Sequence, residues 1–392
     1  MWSIKLVQLL LIEGAFQFGA YMTNPVISGY SLLLGASVAM AGFLSSLTAT
    51  TALVMRPFIG AITDRFNMKT LLAVSALLFS IASFGCSFTS SVGLIGVFRV
   101  VQGVAFALRS TSVVALVSMV VSQEHIGRAV GWTGIGQTIA CALGPLLGAA
   151  IIAGFGYAAS FAGAGLLFIG GFALVLSFKS PQKRLSSDNS RRSAVSPAPS
   201  ARLKDFLYLP NLPFALVSGL MIVPHGVSVT LILVVGQSRG IEGTAVYFAV
   251  YSLAALVAKP LSGRVTDLWG VGAVLVPALL IEFCTTITMA LMSNLAMVVF
   301  AAMCMGLGQA SAYSAVQAEC VRGVDERHLG RATNAFYFGT DIGMGFGPMA
   351  ASAVMQVFGS MVMYIASGVL VLIALVIFLF ISRNHKKARG ED

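Results

Sequence analysis

The chain is short of charge. Only 10% of its 392 residues are Asp, Glu, Lys or Arg, and just 14 are acidic. A soluble domain carries about 25% charged residues, so too little polar surface is available to coat a soluble enzyme. Disorder is excluded as well, because it needs low hydrophobicity and high net charge. The five cysteines, Cys86, Cys141, Cys284, Cys304 and Cys320, include no CxxC pair. They read as small apolar fillers rather than disulfides or metal ligands. No phosphate-binding GxxxxGK[ST] loop, GxSxG elbow or HExxH helix occurs, so neither ATP-driven pumping nor one of those hydrolytic chemistries is encoded. No cofactor or metal is expected.

What is abundant is apolar. Hydrophobic residues make up 57% of the chain, and mean hydropathy is +0.91. The apolar runs are continuous, as in Leu370–Ile381, rather than alternating as an outer-membrane barrel requires. A bilayer-crossing helix needs about 20 mostly apolar residues. Twelve such stretches are expected, at 4–23, 36–62, 70–88, 93–119, 129–153, 159–178, 210–235, 244–262, 271–291, 295–318, 332–355 and 361–381. The N-terminal run has a single Lys, a Glu inside it and no small-residue cleavage site, so it reads as a retained first span rather than a signal peptide. The fold class is all-α and polytopic. The expected division is a six-helix half over 1–178, a Ser/Pro/Arg-rich linker over 179–209, a second half over 210–381 and a tail over 382–392.

The net charge of +10 reflects topology rather than a nucleic-acid partner. Of the 24 Lys and Arg, 21 fall on one side if the spans alternate from the N-terminus: Lys5, Arg56, Arg65, Lys69, Arg128, seven in the linker, Lys259, Arg264, Arg322, Arg327, Arg331 and four in the tail. Lys and Arg accumulate on cytoplasmic loops. Both termini and the linker are therefore expected in the cytoplasm, in a bacterial inner or plasma membrane, with only Arg239 outside.

The halves repeat at an offset of 203 residues. Pro57, Gly60 and Asp64 map onto Pro260, Gly263 and Asp267, Gly103 onto Gly306, and Gly144-Pro145 onto Gly347-Pro348. The string His125-Ile-Gly-Arg-Ala129 maps onto His328-Leu-Gly-Arg-Ala332. Six spans per copy leave the two copies parallel, which is one of the transporter architectures.

These residues carry a resemblance. The stretch Gly60-Ala-Ile-Thr-Asp64-Arg65-Phe-Asn67-Met-Lys69 resembles the loop 2–3 signature of the major facilitator superfamily. Arg99-Val-Val-Gln102-Gly103 resembles its helix 4 motif, and Gly144-Pro145-Leu-Leu-Gly148 the helix 5 motif of its antiporter branches. The resemblance implies transport by alternating access, in the manner of the twelve-helix drug:proton antiporters, with spans 1, 4, 7 and 10 lining a central cavity. It implies that Gly60, Asp64, Arg65, Gly263 and Asp267 form a conformational latch. It also implies that Gly144, Pro145 and Gly148 let span 5 approach its counterpart in the other half and shape the gate. The family loop usually has Gly where Asn67 stands. Asn tolerates a left-handed backbone, so the turn is expected to survive.

Charges at membrane depth usually face cavities or partners. Glu13 lies eight residues past Lys5, about 12 Å along its helix, and Arg109 and Asp341 fall at comparable depth. Glu13 and Asp341 are candidate proton carriers. Arg109 is a candidate anion anchor and a possible partner of Glu13. Arg99, with Gln102, is a proton-relay or structural group. Each has a plainer reading as a buried pair that fixes helix packing. Gln102, Tyr21, Gln137, His225, Tyr251, Gln309, Tyr313 and Tyr337 supply polar tips for a small-molecule substrate. Glu282 falls in a peripheral span. The expected function is proton-coupled export of small amphipathic molecules by a monomer, with protons and the lipid bilayer as its other partners. Proton symport of an organic anion such as a carboxylate or sugar acid, or a transport-dead sensor, are the alternatives.

Overall fold

A computed structural model describes residues 4–120, 126–178, 209–321 and 329–389. Twelve α-helices account for nearly all of them: α1 Ile4–Thr23, α2 Ile27–Leu33, α3 Val38–Arg65, α4 Met68–Phe88, α5 Val92–Val120, α6 Ile126–Ser177, α7 Leu212–Met221, α8 Val223–Ser238, α9 Val246–Trp269, α10 Val271–Leu291, α11 Leu295–Val321 and α12 Leu329–Arg389. No strand occurs among the described residues.

Helices and membrane spans do not correspond one to one. The first span is α1 continued by α2, joined by a 3-10 turn at Asn24–Val26 that seats Pro25 in its first turn. Proline is tolerated there because the first-turn N–H has no intrahelical acceptor. The span therefore reaches Leu33, ten residues beyond the sequence-based boundary. Span 7 is jointed in the same way where α7 ends and Pro224 opens α8. Conversely, α6 and α12 are each two spans. Gly156 (φ 82°, ψ 174°) and Gly359 (φ 82°, ψ 170°) interrupt them. That backbone region is cheap only for glycine, and the two breaks stand at the same 203-residue offset. Divided at these glycines, the described chain makes twelve crossings.

The repeat extends to packing. Gly103 on α5 lies against Thr48 and Thr51 of α3, and Gly306 on α11 lies against Tyr251 and Ala254 of α9, the same positions one repeat on. Apolar side chains gain little by leaving lipid for a helix interface, so close backbone approach at small residues does much of the joining. A Cβ on Gly306 would stand 2.5 Å from the Tyr251 carbonyl oxygen, whereas Gly263 has nothing within 4 Å. Gly306→Val is therefore expected to cost about 1–3 kcal/mol by overpacking, with Gly263→Ala close to neutral. Melting temperatures in detergent check this, and equal values for the two variants would contradict it.

The loops show one departure from expectation. Asn67 is extended (φ −69°, ψ 129°), and its side chain accepts from the Lys69 N–H as the N-cap of α4. Its repeat mate Gly270 takes the positive φ of 83° instead. The turn at 67 thus survives through an Asn cap, not through a left-handed backbone. Arg239, expected in a loop, caps other helices: its guanidinium donates to the carbonyls of Met289, Ala290 and Met292 and to Ser360.

The helices alternate, so Ile4, Phe178, Leu209 and Arg389 lie toward one end of the bundle, the linker end. The halves join at the other, far end. Ser28 donates to the Thr230 carbonyl at 3.0 Å, and the Ala39 N–H donates to the Gln356 side chain at 2.9 Å. Span 1 meets α8 through Asn24–Leu33, while its α1 stretch makes no comparable contact with α7 or α8. Along their flanks the halves touch through α3 on α12 and α6 on α9. The result is a cleft that opens toward the linker end. Large apolar side chains such as Val54, Leu166, Leu253, Phe300 and Phe380 face outward, as a lipid-facing belt does.

Candidate functional site

The cleft wall on the N-terminal side begins with α1. Glu13, Gln17 and Tyr21 are spaced by four, so they form one stripe along the helix. Glu13 is 7% exposed. Its Oε1 accepts from the Arg109 guanidinium of α5 and from Gln17 Nε2 at 2.8 Å. Its Oε2 is buried and has no partner. Arg109 also lies over the rings of Phe16 and Phe106, at 5.7 and 5.1 Å. These rings stand three residues from Glu13 and Arg109 respectively, so the helix repeat brings them to the pair. The structure thus joins the two residues that span depth alone matched. It also turns the Arg109 fork toward Glu13 and the rings rather than toward the cleft. Farther along α1, Tyr21 accepts from Gln137 Nε2 of α6 at 3.3 Å.

The C-terminal wall is aromatic. His225 of α8 stacks on Tyr251 of α9 with ring centroids 4.7 Å apart, and Tyr247 stacks on Tyr251 at 6.2 Å. The Tyr251 hydroxyl donates to Gln309 Oε1 of α11 at 2.7 Å. Nδ1 of His225 and the Tyr247 hydroxyl have no partner. Nearer the linker end, Tyr313 packs edge-on against Phe336 at 4.8 Å, and Gln317 donates to the Tyr337 hydroxyl at 3.1 Å. Asp341, one turn past Tyr337, reaches across the halves: its Oδ2 is 2.7 Å from Arg56 Nε of α3. The Arg56 N–H does not aim along that line, so the contact is an ion pair rather than a well-formed hydrogen bond. The two side chains are 37% and 23% exposed, in the cleft.

Two expected cavity residues stand elsewhere. Arg99 is 2% exposed and Gln102 3%. Arg99 donates to the carbonyls of Leu44 and Ser45 on α3, to Asn24 of the first span and to Gln102. Gln102 in turn donates to Ser83 of α4 at 3.5 Å. This network ties spans 1, 2, 3 and 4 together inside the N-terminal half. It presents neither group to the cleft, because the Gln102 face of α5 looks into the half.

Gly144 and Gly148, flanking Pro145 on α6, press against the backbone of Tyr21 and Met22 in span 1. The cross-half neighbour of α6 is α9, the eighth span, not span 11. Thr48 and Thr51 of span 2 already fill the approach to span 4, and span 11 packs on span 2. The helix 5 motif therefore closes span 5 onto span 1 within its own half. Of the latch residues, Gly60, Asp64 and Arg65 fall in the last turns of α3 and Asp267 in the last turn of α9. Their side chains lie outside the described residues. Gly263 is exposed.

Sequence reasoning missed Arg56 and Lys259. It counted both with the linker-end charges, yet α3 runs on to Arg65 and α9 to Trp269. Each is therefore about 14 Å from its helix end. Their shared place before Pro57 and Pro260 in the repeat was the signal available. Glu282 is 0% exposed, and neither carboxylate oxygen has a partner. A buried polar group without a partner costs about 1–3 kcal/mol. Glu282→Met is accordingly expected to raise the melting temperature and leave transport intact. Loss of pH-driven transport in that variant would make Glu282 a coupling carboxylate instead. Among the described residues no three His, Cys, Asp or Glu side chains gather as a metal site.

The model of the Major Facilitator Superfamily matches residues 9–248 and 226–392. The uncharacterized MFS-type transporter YhhS of Escherichia coli (strain K12) is 23% identical over 389 residues, covering 96% of this chain and 92% of its own. Multidrug resistance protein 2 of Bacillus subtilis (strain 168) is 25% identical over 154 residues, which is 39% of this chain and 38% of that protein. The stretches shared with curated Bacillus subtilis relatives thus span well under half of those proteins' lengths. Among solved structures, a bacterial homologue of the human lysosomal transporter Spinster, in an inward-facing and occupied conformation, superposes with a TM-score of 0.81 at 15% identity, over 96% of each chain. A family match along nearly the whole sequence, a relative aligned end to end and a shared twelve-span fold lead to one conclusion: the chain belongs to the Major Facilitator Superfamily of membrane transporters.

Proposed function

We propose that the protein is a proton-coupled antiporter that exports small amphipathic organic molecules by alternating access. The observation that carries this is the Glu13–Arg109 pair. Glu13 holds Arg109 through one carboxylate oxygen while the other is buried and vacant. A proton on the vacant oxygen weakens the hold on Arg109. Ionisation restores it, because an unpaired charge at this depth is costly. Substrate entering the cleft beside Tyr21 alters the same environment, so substrate and proton compete. With the N-terminus in the cytoplasm, the linker end is the cytoplasmic side and the cleft opens inward. Asp341 and Arg56 bridge the halves within that cleft and must part or re-form as it changes shape. The lining of Tyr21, Tyr251, Tyr313 and Tyr337 offers apolar faces with polar tips, which suits amphipathic cargo. The partial likeness to Multidrug resistance protein 2 points the same way. One chain supplies both rocking halves, which favours a working monomer.

The test is accumulation of a panel of fluorescent amphipathic dyes in cells that overexpress the protein, lack it or carry Glu13→Gln. Lower accumulation on overexpression, abolished by a protonophore and by Glu13→Gln, is expected. Unchanged accumulation of every dye contradicts export.

A further inference from the structure

Where the halves join at the far end, the structure holds a cavity of about 200 Å³. Gly29 of span 1, Ala149 and Ala153 of span 5, and Leu233 and Gln237 of span 7 line it, with Tyr157 just past the Gly156 break. The cavity therefore straddles the seam that the Ser28–Thr230 bond closes. Small residues make the room. At the 203-residue offset, Ile232, Ser352 and Gln356 stand in the places of Gly29, Ala149 and Ala153. Ile232 is 0% exposed, Ser352 donates to the Pro348 carbonyl, and Gln356 accepts from the Ala39 N–H. Larger side chains thus occupy the equivalent place on the opposite flank.

Polarity is graded along the cavity. Ala149 lies seven residues before Gly156, about 10 Å deeper along its helix, and Leu233 is one turn deeper than Gln237. The floor is apolar and the polar groups stand at the far membrane face. The Tyr157 ring stacks on Tyr30 with centroids 5.2 Å apart. Its hydroxyl comes so close to Gly29 that a Cβ there would stand 2.9 Å from it. Among the described residues, neither this hydroxyl nor the Gln237 side-chain amide has a hydrogen-bond partner. Ala153 and Gln237 are exposed, so the cavity has an open mouth. Ala153 also borders the outward stripe of span 5 that carries Leu147 and Ala150. An empty apolar space forfeits dispersion contacts and does not take up water. The liquid beside this one is hydrocarbon. A polar rim at the interface above an apolar floor matches the order in which a lipid presents its esters and its chain.

We propose that the cavity holds one acyl chain of a phospholipid from the far leaflet, with the ester groups at Tyr157 and Gln237. The chain touches both halves. Opening the far end parts span 1 from span 7 and dismantles the cavity, so the lipid favours the arrangement in which the cleft opens toward the linker end. That effect rests on the alternating-access reading above, whereas the binding site does not.

The experiment is photolabelling of the full chain in nanodiscs of phosphatidylcholine that carries a diazirine on its acyl chain, with the labelled residues mapped by mass spectrometry. Ala149, Ala153 and Leu233 are expected to take more label than belt residues such as Leu166. Ala149→Leu fills the floor and should cut the cavity label about tenfold, as the lost burial of two CH₂ groups implies. Its belt label stays unchanged, which shows that the variant is folded. Tyr157→Phe keeps the ring, removes the hydroxyl and should lower the label by less. Cavity label no higher than belt label, or undiminished in Ala149→Leu, overturns the site. Displacement of the cavity label by excess amphipathic dye would give the cavity to cargo and overturn the lipid assignment. A second readout separates the effect from the site. Nitroxides at Ser90 and Ser293, repeat mates in far-end turns of the two halves, are placed in a cysteine-free chain in detergent. Added phosphatidylcholine is expected to raise the population with the short far-end distance. A labelled cavity with an unmoved distance distribution overturns the effect and leaves the site standing.

Discussion

Glu13→Gln is expected to uncouple the transporter while leaving it folded. The amide is isosteric with the protonated acid, so Gln17 and the Phe16 and Phe106 rings keep their places around Arg109. What disappears is the charge that alternates. Coupling free energies of about 1–3 kcal/mol correspond to roughly 5- to 150-fold effects, and accumulation driven by a pH gradient in proteoliposomes is expected to fall by that order. Counterflow, in which labelled and unlabelled substrate exchange without a gradient, should survive. Arg109→Ala behaves differently. It strands a buried carboxylate and two aromatic rings, so it loses folded protein as well as coupling. A Glu13→Gln protein that still concentrates substrate against a pH gradient would reduce the pair to a helix clamp.

The second large effect belongs to Arg99. Its guanidinium donates in four directions, to the Leu44 and Ser45 carbonyls, to Asn24 and to Gln102. It is nearly inaccessible. A buried acceptor left without its donor costs about 1–3 kcal/mol, and Arg99 serves several, so Arg99→Met should lower the melting temperature steeply and reduce the yield of folded protein. Arg99→Lys should recover little, because an ammonium cannot reproduce a planar fork that bonds in several directions at once. Gln102→Leu, which removes one acceptor, should fall between. None of these variants should alter the pH dependence of whatever transport remains. A shifted pH profile with an unchanged melting temperature would return Arg99 to the proton path.

Much of the fold is written in run length. Bilayer thickness sets the length of an apolar segment, so spans such as Val92–Val120 are legible almost to the residue. The joints are not. Pro25 marks a break past which the first span continues as α2, and Gly156 ends a span inside an apolar run where composition does not change. In the site, depth was legible and direction was not. Counting residues along α1 and α5 put Glu13 and Arg109 at one level, and the structure shows them joined. Counting could not show that Gln102 looks into its own half, because the helix face is decided by which neighbours pack on α5. Arg56 was hidden for the opposite reason. A basic residue near the end of an apolar run passes for a loop charge until the helix is seen to continue to Arg65.

The measurement that tests the central claim most directly is proton release by the purified protein in weak buffer when substrate is added, with an amphipathic dye from the accumulation panel as the first ligand. Antiport through Glu13 predicts that wild type releases protons in proportion to bound ligand, that release grows as the pH falls toward full protonation of the site, and that Glu13→Gln binds ligand and releases none. Proton uptake on binding, or equal release from Glu13→Gln, would contradict competition between substrate and proton at this carboxylate.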